Sequence, residues 1–416
     1  QRGSFANMWC PLQRLLLDPQ MQPARVGVAP EWTRADFVAQ ALRVAARLRE
    51  TRPRAVALHF SDAARMACTF LACAHEGVAM VLPPNLAADN LVWACEQADV
   101  WMTDGHTPDL ARDVANAAQA VADAQVGRGN IEVWQITDDA ILVEARHGSL
   151  PAQTAQRAEK RAPCPANRAE GHEGAGQVPA HLLKLDTEVW LKTSGSTGQP
   201  QIICKTVAQF QAEAEALAQC WGLVDEAPVD AVVGSVSPQH LYGLSFRVVL
   251  ALCAGWPIHR MQCVYPESLL AAALPMHRSV WISSPMLLDA LGEDRVGPRL
   301  RGSVSRLVSS AGGLSAATSE RLHRQLGILP DEIYGSTETG VIAHRQGSGP
   351  WQPLPSVQHG TDAEGALWVD SPWSGGRRQL ADLVSPQGKG FVLEGRRDRI
   401  IKLADKRVSL AHVEAT

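Results

Sequence analysis

No Cys-x-x-Cys pair occurs in the chain, although it carries nine cysteines, and the two nearest, Cys68 and Cys73, do not fit a ligand spacing. That scatter excludes a zinc ribbon and a disulfide framework and suits buried free thiols in a reducing compartment. An excess of basic residues is missing too. Lys and Arg total 39 against 43 Asp and Glu, a net charge of -4, which offers no field for a nucleic-acid partner. No run of 18 apolar residues is present, which argues against a membrane span, and no charged-then-apolar start marks a signal peptide. A cytoplasmic location is expected. The G-x-x-x-x-G-K-[ST] spacing of a Walker loop is absent, and His147, His172 and His181 match no metal-ligand pattern.

What is there is a long chain with a strong core composition. At 416 residues and 46% hydrophobic content, two or three packed units are expected. Thr33 to Asp36 reads as a helix start, Arg54 to Phe60 as a strand, Ser61-Asp62 as the next cap and Val78 to Leu82 as a strand again. Asn90 to Gln97 reads as a helix and Val100 to Thr103 as a strand. This alternation predicts an α/β fold with parallel sheets covered by helices. Leu150 to Gln177, rich in Ala, Pro and Gly, interrupts it and reads as a surface loop. The rhythm then resumes with a helix over Val207 to Trp221, a strand over Ala231 to Val236 and an apolar helix over Leu244 to Ala254.

The chemistry concentrates in loops. Thr193-Ser194-Gly195-Ser196-Thr197-Gly198 packs four hydroxyls and two glycines between the apolar runs Val189–Leu191 and Ile202–Ile203. Glycine lets a backbone approach a ligand, and successive N–H groups form an anion-binding concavity, so a phosphate-gripping hairpin loop is predicted. A Ser/Gly linker has the same composition, but the flanking apolar runs disfavour it. Further strands are predicted to end in Ser237-Pro238-Gln239-His240, Ser283-Ser284-Pro285, Ser310-Ala311-Gly312-Gly313 and Tyr334-Gly335-Ser336-Thr337-Glu338. Ligands of open α/β sheets sit outside the carboxyl ends of strands, so these loops are expected to converge. Tyr334 offers a face for a base, Glu338 a carboxylate for Mg²⁺ and Asp382 an acceptor for ribose hydroxyls. Arg396, Lys402, Lys406 and Arg407 offer positive charge for phosphates. Each alone has a bland reading as core, cap or solvated face; together they point to a nucleoside triphosphate.

In this arrangement the chain resembles the adenylate-forming superfamily of acyl-CoA synthetases, adenylation domains and luciferases. Thr193 to Pro200 resembles its phosphate loop, Tyr334 to Glu338 its Y-G-x-T-E motif and Gly395-Arg396-Arg397-Asp398 its G-R-x-D hinge. Gly365 to Val369 resembles its G-x-L-x-V segment, and Ala381-Asp382-Leu383 stands at its T-G-D. The resemblance covers roughly the second half of the chain. It implies a large N-terminal domain of two α/β subdomains (1–180 and 181–330), a β-rich subdomain (331–395), and a hinge opening a C-terminal domain (396–416) that stops short. It further implies a carboxylate attacking MgATP to give an acyl-adenylate and pyrophosphate, followed by displacement of AMP by coenzyme A or by the phosphopantetheine of a carrier protein. By resemblance, Thr193, Ser194, Gly195, Ser196, Thr197 and Gly198 hold phosphates, Tyr334 stacks on adenine with Gly312 and Gly313 beside it, and Gly335 also belongs to the ATP site. Thr337 contacts the α-phosphate, Glu338 the Mg²⁺, and Asp382, Arg396 and Arg407 the rest of the nucleotide, with Asp398 as the hinge. His240 resembles the residue between the acid and the thiol tunnel, and Tyr242, Trp281 and Gly313 are expected beside it in an acyl pocket.

Three departures qualify the resemblance. Gln201 stands where the family has lysine, Ala381 replaces the glycine of T-G-D, and most of the C-terminal domain, with its catalytic lysine, is expected to be missing beyond Thr416. Pro238 to Gly255 contains no Asp or Glu, so an uncharged acyl or aryl acid is favoured over an amino acid. The alternatives are a ligase that loads a carrier protein and a weakened nucleotide-binding homologue. A small carboxylic acid and a second copy of the chain, as a homodimer, are the expected partners.

Overall fold

The computed structural model describes residues 9–17, 24–124, 131–147, 181–193, 201–293, 295–397, 400–403 and 406–409. After strands β1 (Arg25–Val28) and β2 (Trp32–Thr33), helix α1 (Arg34–Thr51) begins where Thr33 accepts the Asp36 N–H as its N-cap. Its buried Phe37, Ala41, Val44, Ala45 and Leu48 form the inward stripe. Strand β3 (Ala55–His59) leads to Asp62, whose carboxylate caps α2 (Ala63–Glu76) by accepting the Ala64 and Arg65 N–H groups. There follow β4 (Ala79–Leu82), α3 (Ala88–Gln97), β5 (Val100–Thr103), α4 (Leu110–Asp123), β6 (Ile131–Ile136) and β7 (Ile141–His147). The hairpin of β8 (Glu188–Thr193) and β9 (Gln201–Thr206) completes a seven-stranded sheet in the order β7-β6-β5-β3-β4-β8-β9. Its interior pairs are parallel and its two edge pairs antiparallel.

Helix α5 (Val207–Trp221) starts at a capping box of Thr206 and Gln209. The chain continues through β10 (Ala231–Gly234), a short α6 (Leu241–Gly243), a π-helical stretch Leu244–Leu250, α7 (Ala251–Ala254) and β11 (Ile258–His259). Next come α8 (Pro266–Ala273), β12 (Ser279–Ser283), α9 (Pro285–Ala290), β13 (Val304–Ser309), α10 (Ala316–Leu326), β14 (Asp331–Ser336), β15 (Gly340–Gln346) and β16 (Gln352–Pro353). These strands join β1 and β2 in a nine-stranded sheet, β16-β15-β14-β13-β12-β10-β11-β1-β2. Strands β17 (Gln358–Thr361), β18 (Ala366–Asp370), β19 (Arg378–Gln387) and β20 (Gly390–Arg396) form a small antiparallel sheet, and β21 (Ile400–Leu403) pairs with β22 (Lys406–Ser409) as a hairpin.

The two large sheets are therefore parallel in their centres, as the alternation predicts. The apolar helix expected over Leu244 to Ala254 is partly a π-helix, a form that recurs at functional sites. Sheet membership cuts across the segments 1–180, 181–330 and 331–395. Strands β8 and β9 complete the first large sheet, whereas β1, β2 and β14 to β16 belong to the second. Hydrogen bonding to a neighbouring strand, which sequence order does not reveal, sets that membership. The loop read over Leu150 to Gln177 lies outside the described residues.

A buried ion cluster ties the two sheets together. Arg260, just past β11 and 1% exposed, donates to Asp62 at 2.7 Å and to Asp138, beyond β6, at 2.6 and 2.7 Å. Arg65 adds a second bond to Asp138 at 2.8 Å. Burial raises the Asp138 pKa, but the two guanidinium groups outweigh it and the net shift is downward. Arg260→Met strands the buried Asp62 charge, and we expect a loss of about 3–5 kcal/mol in urea unfolding at neutral pH. Because the Asp138 pKa is depressed on folding, its share of stability is present above the ordinary Asp range and fades as pH falls below it. The wild-type minus variant difference in unfolding free energy therefore shrinks on acidification. A difference that stays constant with pH would contradict this assignment.

Candidate active site

Strands β10, β12, β13 and β14 are successive neighbours and all mutually parallel, so their carboxyl ends lie side by side on one edge. The four predicted loops leave from those ends. Hydrogen bonds knit them: Ser235 Oγ meets Ser283 Oγ at 2.8 Å, Ser310 N–H donates to Ser283 O at 3.3 Å, and Ser310 Oγ donates to Ile333 O at 3.3 Å. Leu314 N–H donates to Glu332 Oε2 at 3.1 Å, so the segment after Gly312 and Gly313 is fastened to β14. Gly313 itself is exposed and faces open space, with room beside its backbone for a ligand.

The loop bearing His240 is bolted from below. Gln239, 3% exposed, donates through Nε2 to Phe60 O at 2.7 Å, a bond to the chain just past β3 of the other large sheet. His240 is exposed and opens α6. Tyr242 sets its phenol between the Ser283 and Val308 carbonyls, donating toward both at 3.0 Å, and burial drives its pKa well up. Its ring is half-buried beside these strand ends. Trp281, expected with it on an acyl pocket, is instead wholly buried among Val233, Leu269, Leu288 and Leu307, with Nε1 donating to Ser279 Oγ at 3.2 Å. Side chains alternate along a strand, and Trp281 takes the side covered by α8, α9 and α10 while Val280 and Ile282 join the core on the other face.

Tyr334 to Glu338 ends β14 and turns into β15. Gly335 sits at a register shift, and a Cβ there would run into the Gly340 carbonyl. Ser336 N–H donates to Thr339 Oγ1 at 3.0 Å and Thr339 Oγ1 donates to Gly340 O at 2.9 Å, which braces the turn and leaves Thr337 and Glu338 at its half-buried tip. The Tyr334 ring packs against Trp351 and Phe391, with centroids at 5.5 and 5.8 Å, joining the nine-stranded sheet to the small one. Its phenol oxygen is buried without a well-formed hydrogen bond. Burial first, and then the nearby Asp382 carboxylate, hold its pKa well above the usual value. Asp382 and Arg396, opposite each other on β19 and β20, pair at 3.1 Å. Tyr334, Asp382 and Arg396 thus lie together.

Thr193 ends β8 directly opposite Gln201, and its buried Oγ1 has no hydrogen-bond partner among the described residues. Ser194, Gly195, Ser196, Thr197 and Gly198 lie outside those residues, as do Asp398 and the side chain of Arg407. Among the described residues no group of three or more His, Cys, Asp or Glu side chains is arranged around a metal.

A cavity of about 490 Å³ opens at the opposite end of β14, lined by Cys220, Arg306, Asp331 and His344 among others. Arg306 is already paired with Asp331 at 2.9 Å and Glu226 at 2.5 Å, and burial pushes the Cys220 thiol up to about 11. It therefore offers neither a ready anion site nor a thiolate, and the strand-end loops are the better candidate.

Residues 19–364 match the AMP-binding enzyme family. The chain belongs to that family. A 4-coumarate–CoA ligase of Rhodobacter capsulatus is 33% identical over 230 residues, 54% of this chain and 56% of that protein. A second 4-coumarate–CoA ligase, from Cereibacter sphaeroides, is 28% identical over 228 residues, 53% of this chain and 51% of its own length. The matches thus span about half the length of these relatives. Among solved structures, the o-succinylbenzoate CoA synthetase of Bacillus subtilis superposes with a TM-score of 0.71 at 16% identity, over 97% of this chain and 82% of that one. ATP-bound MatB of Rhodopseudomonas palustris gives 0.67 at 19% identity, over 98% and 83%. At such identities these likenesses concern the fold alone.

Within this AMP-binding enzyme, three buried side chains around the strand ends escape a reading of the sequence. Arg247, fully buried on the π-helical stretch, donates to the carbonyls of Val236, His259 and Met261 at 2.6 to 3.3 Å and so fixes the chain just before His240. Glu332 receives Arg345 at 2.9 Å as well as the Leu314 N–H. Glu213 on α5 accepts the Val341 N–H at 3.0 Å. No motif spacing signals them, because each acts on backbone atoms brought near only by the fold. Gly335→Ala should cost about 1–3 kcal/mol in urea unfolding by overpacking the bulge against Gly340. Unchanged stability would show that the turn has room the geometry does not show.

Proposed function

We propose that this AMP-binding enzyme is an AMP-forming acid–thiol ligase that activates an uncharged acyl or aryl carboxylate with MgATP. The observation that carries the reading is the meeting of four polar loops at adjacent parallel strand ends, in a chain of this family. The buried Thr193 Oγ1, without a hydrogen-bond partner among the described residues, fits a ligand that brings its own hydrogen-bonding atoms. Asp382 and Arg396 beside Tyr334 suit a ribose and its base. Glu338 at the turn tip suits Mg²⁺, which is ordinarily held by one or two carboxylates together with substrate phosphates. The ion would neutralise charge on the transferring phosphoryl group.

In this reading the substrate carboxylate is itself the nucleophile. One of its oxygens bonds to the α-phosphorus, the bond from that phosphorus to the bridging oxygen breaks, and pyrophosphate leaves. No protein nucleophile is required, and the chain contributes position and charge complementarity. Thr193 to Gly198 would hold the β- and γ-phosphates, Thr337 the α-phosphate, with Gly312 and Gly313 beside the adenine. His240, exposed at the start of α6, would lie between the acid and the thiol, and Tyr242 with Gly313 would border the acyl group. A thiol would then attack the acyl carbon, lose its proton and expel AMP. Coenzyme A is the first acceptor to test because the matched relatives are CoA ligases; a carrier-bound phosphopantetheine presents the same thiol arm. The lack of Asp and Glu over Pro238 to Gly255 favours an uncharged acyl or aryl acid over an amino acid, and the same relatives make an aryl acid the first to test.

The reading predicts acid-dependent exchange of labelled pyrophosphate into ATP across a panel of aryl and fatty acids. ADP as the only nucleotide product would refute it. Glu338→Gln should lower the exchange by about 10²–10³-fold, in line with removal of a single charge-stabilising group, with a thermal midpoint close to wild type. Exchange at the wild-type rate would remove Glu338 from the metal role.

A further inference from the structure

Between the hydroxyl-loop hairpin and the Tyr334 to Glu338 turn runs a closed chain of buried contacts. Lys205, near the end of β9 and 3% exposed, donates its ammonium to Trp373 O at 2.9 Å. The Trp373 indole donates to Val341 O at 2.8 Å, and the Val341 N–H donates to Glu213 Oε2 at 3.0 Å. Glu213 is 3% exposed on α5, the helix that continues directly from β9, so the circuit returns to its start. Gly340, held at φ +69°, has no room for a side chain: a Cβ would strike Glu213 Oε2 and the Trp373 ring. The glycine lets the carboxylate reach the backbone at the foot of the turn.

Burying a carboxylate is costly, and its burial raises the Glu213 pKa, an effect that the Lys205 charge, the Ser245 hydroxyl and the Val341 N–H partly offset. Packing alone would be better served by an apolar residue at this position of α5. The placement is informative. Glu213 grips Val341, while Ser336, Thr339 and Gly340 are bonded to one another, so the turn carrying Glu338 is attached as a unit to that grip.

We propose that Glu213, supported by Lys205, is a positioning residue that fixes the Glu338 turn relative to β9 and α5, so that the Glu338 carboxylate is held in one place for the metal. The inference rests on the ligase reading for its consequence, and on the contact circuit alone for its geometry. Glu213 touches no substrate; it acts through Val341.

The test uses the full chain with Glu213→Ala, which removes the acceptor, and Glu213→Gln, which keeps an oxygen for the Val341 N–H. Two quantities are read: kcat and KM of acid-dependent pyrophosphate exchange, and the Mg²⁺ concentration giving half-maximal ATP binding by calorimetry. Glu213→Ala is expected to raise half-saturating Mg²⁺ by about tenfold and to lower exchange kcat by about ten- to a hundredfold, the scale of a small misplacement of a reacting group. The KM for the acid should change little, and Glu213→Gln should restore most of both losses. A structural role only would lower the competent fraction and leave half-saturating Mg²⁺ where it was; that result, or wild-type behaviour of Glu213→Ala, overturns the proposal. Absent exchange by the wild type with intact Mg²⁺-dependent ATP binding would sink the ligase reading, and the binding comparison would still decide the role of Glu213. Absent Mg²⁺-dependent ATP binding by the wild type would overturn both.

Discussion

Parallel pairing of β10, β12, β13 and β14 is the constraint from which the rest follows. Strands that run the same way end at the same edge, so every loop after them is delivered to one place without further design. Parallel strands need helical crossovers, which cover both faces and leave the centre fully buried; β10 and β12 are buried at every position. Polar chemistry is thereby pushed to the ends. Ser235, Ser283 and Ser310 stand at or just past three successive strand ends, where the ladder stops and side-chain hydroxyls can pair with one another and with carbonyls.

The buried charges are placed where separate elements must keep a fixed relation. Asp62, Arg260 and Asp138 hold the two large sheets, Gln239 ties the His240 loop to Phe60, and Glu332 with Arg345 secures the glycine-bearing segment to β14. An ion pair in the interior gains little net stability over a well-packed apolar pair, but losing one partner is expensive. Such contacts therefore discourage sliding between elements more than they add to the total. That suits a site assembled from loops of two sheets, where a displacement of about 1 Å matters more than overall stability.

Local order was plain in the sequence. Helix α5 spans the very residues its apolar pattern predicts, β5 likewise, and Thr33 and Asp62 cap the helices they precede. The loops around the candidate site were legible because Gly, Ser and Pro clusters follow apolar runs. The membership of β1 and β2 in the second large sheet was not legible, because pairing between β1 and β11 joins residues far apart in the chain. Trp281 was misplaced for a different reason: an aromatic near a strand end looks the same in sequence whichever face it takes. Arg247 was invisible because its partners are backbone groups, which carry no sequence signature, and Glu213 because Val341 and Ser245 come near it only in the fold.

The substitution of Gln201 for the lysine implied by the family resemblance gains meaning from the fold. Lys205 is the nearest downstream cation, and it does not replace the missing one. It is buried, and its ammonium is committed to the Trp373 carbonyl, whereas Gln201 stands exposed opposite Thr193 at the mouth of the hairpin. The two side chains are four positions apart on one strand and share a face, but one end of that face is in solvent and the other is in the core. The Lys205 charge thus secures the base of the hairpin, while Lys192, next to Thr193 on the facing strand, is paired with Asp89 at 3.2 Å. Both cations of β8 and β9 are therefore already partnered, so on the proposed reading an anion at that mouth would meet no uncommitted charge among the described residues of the two strands.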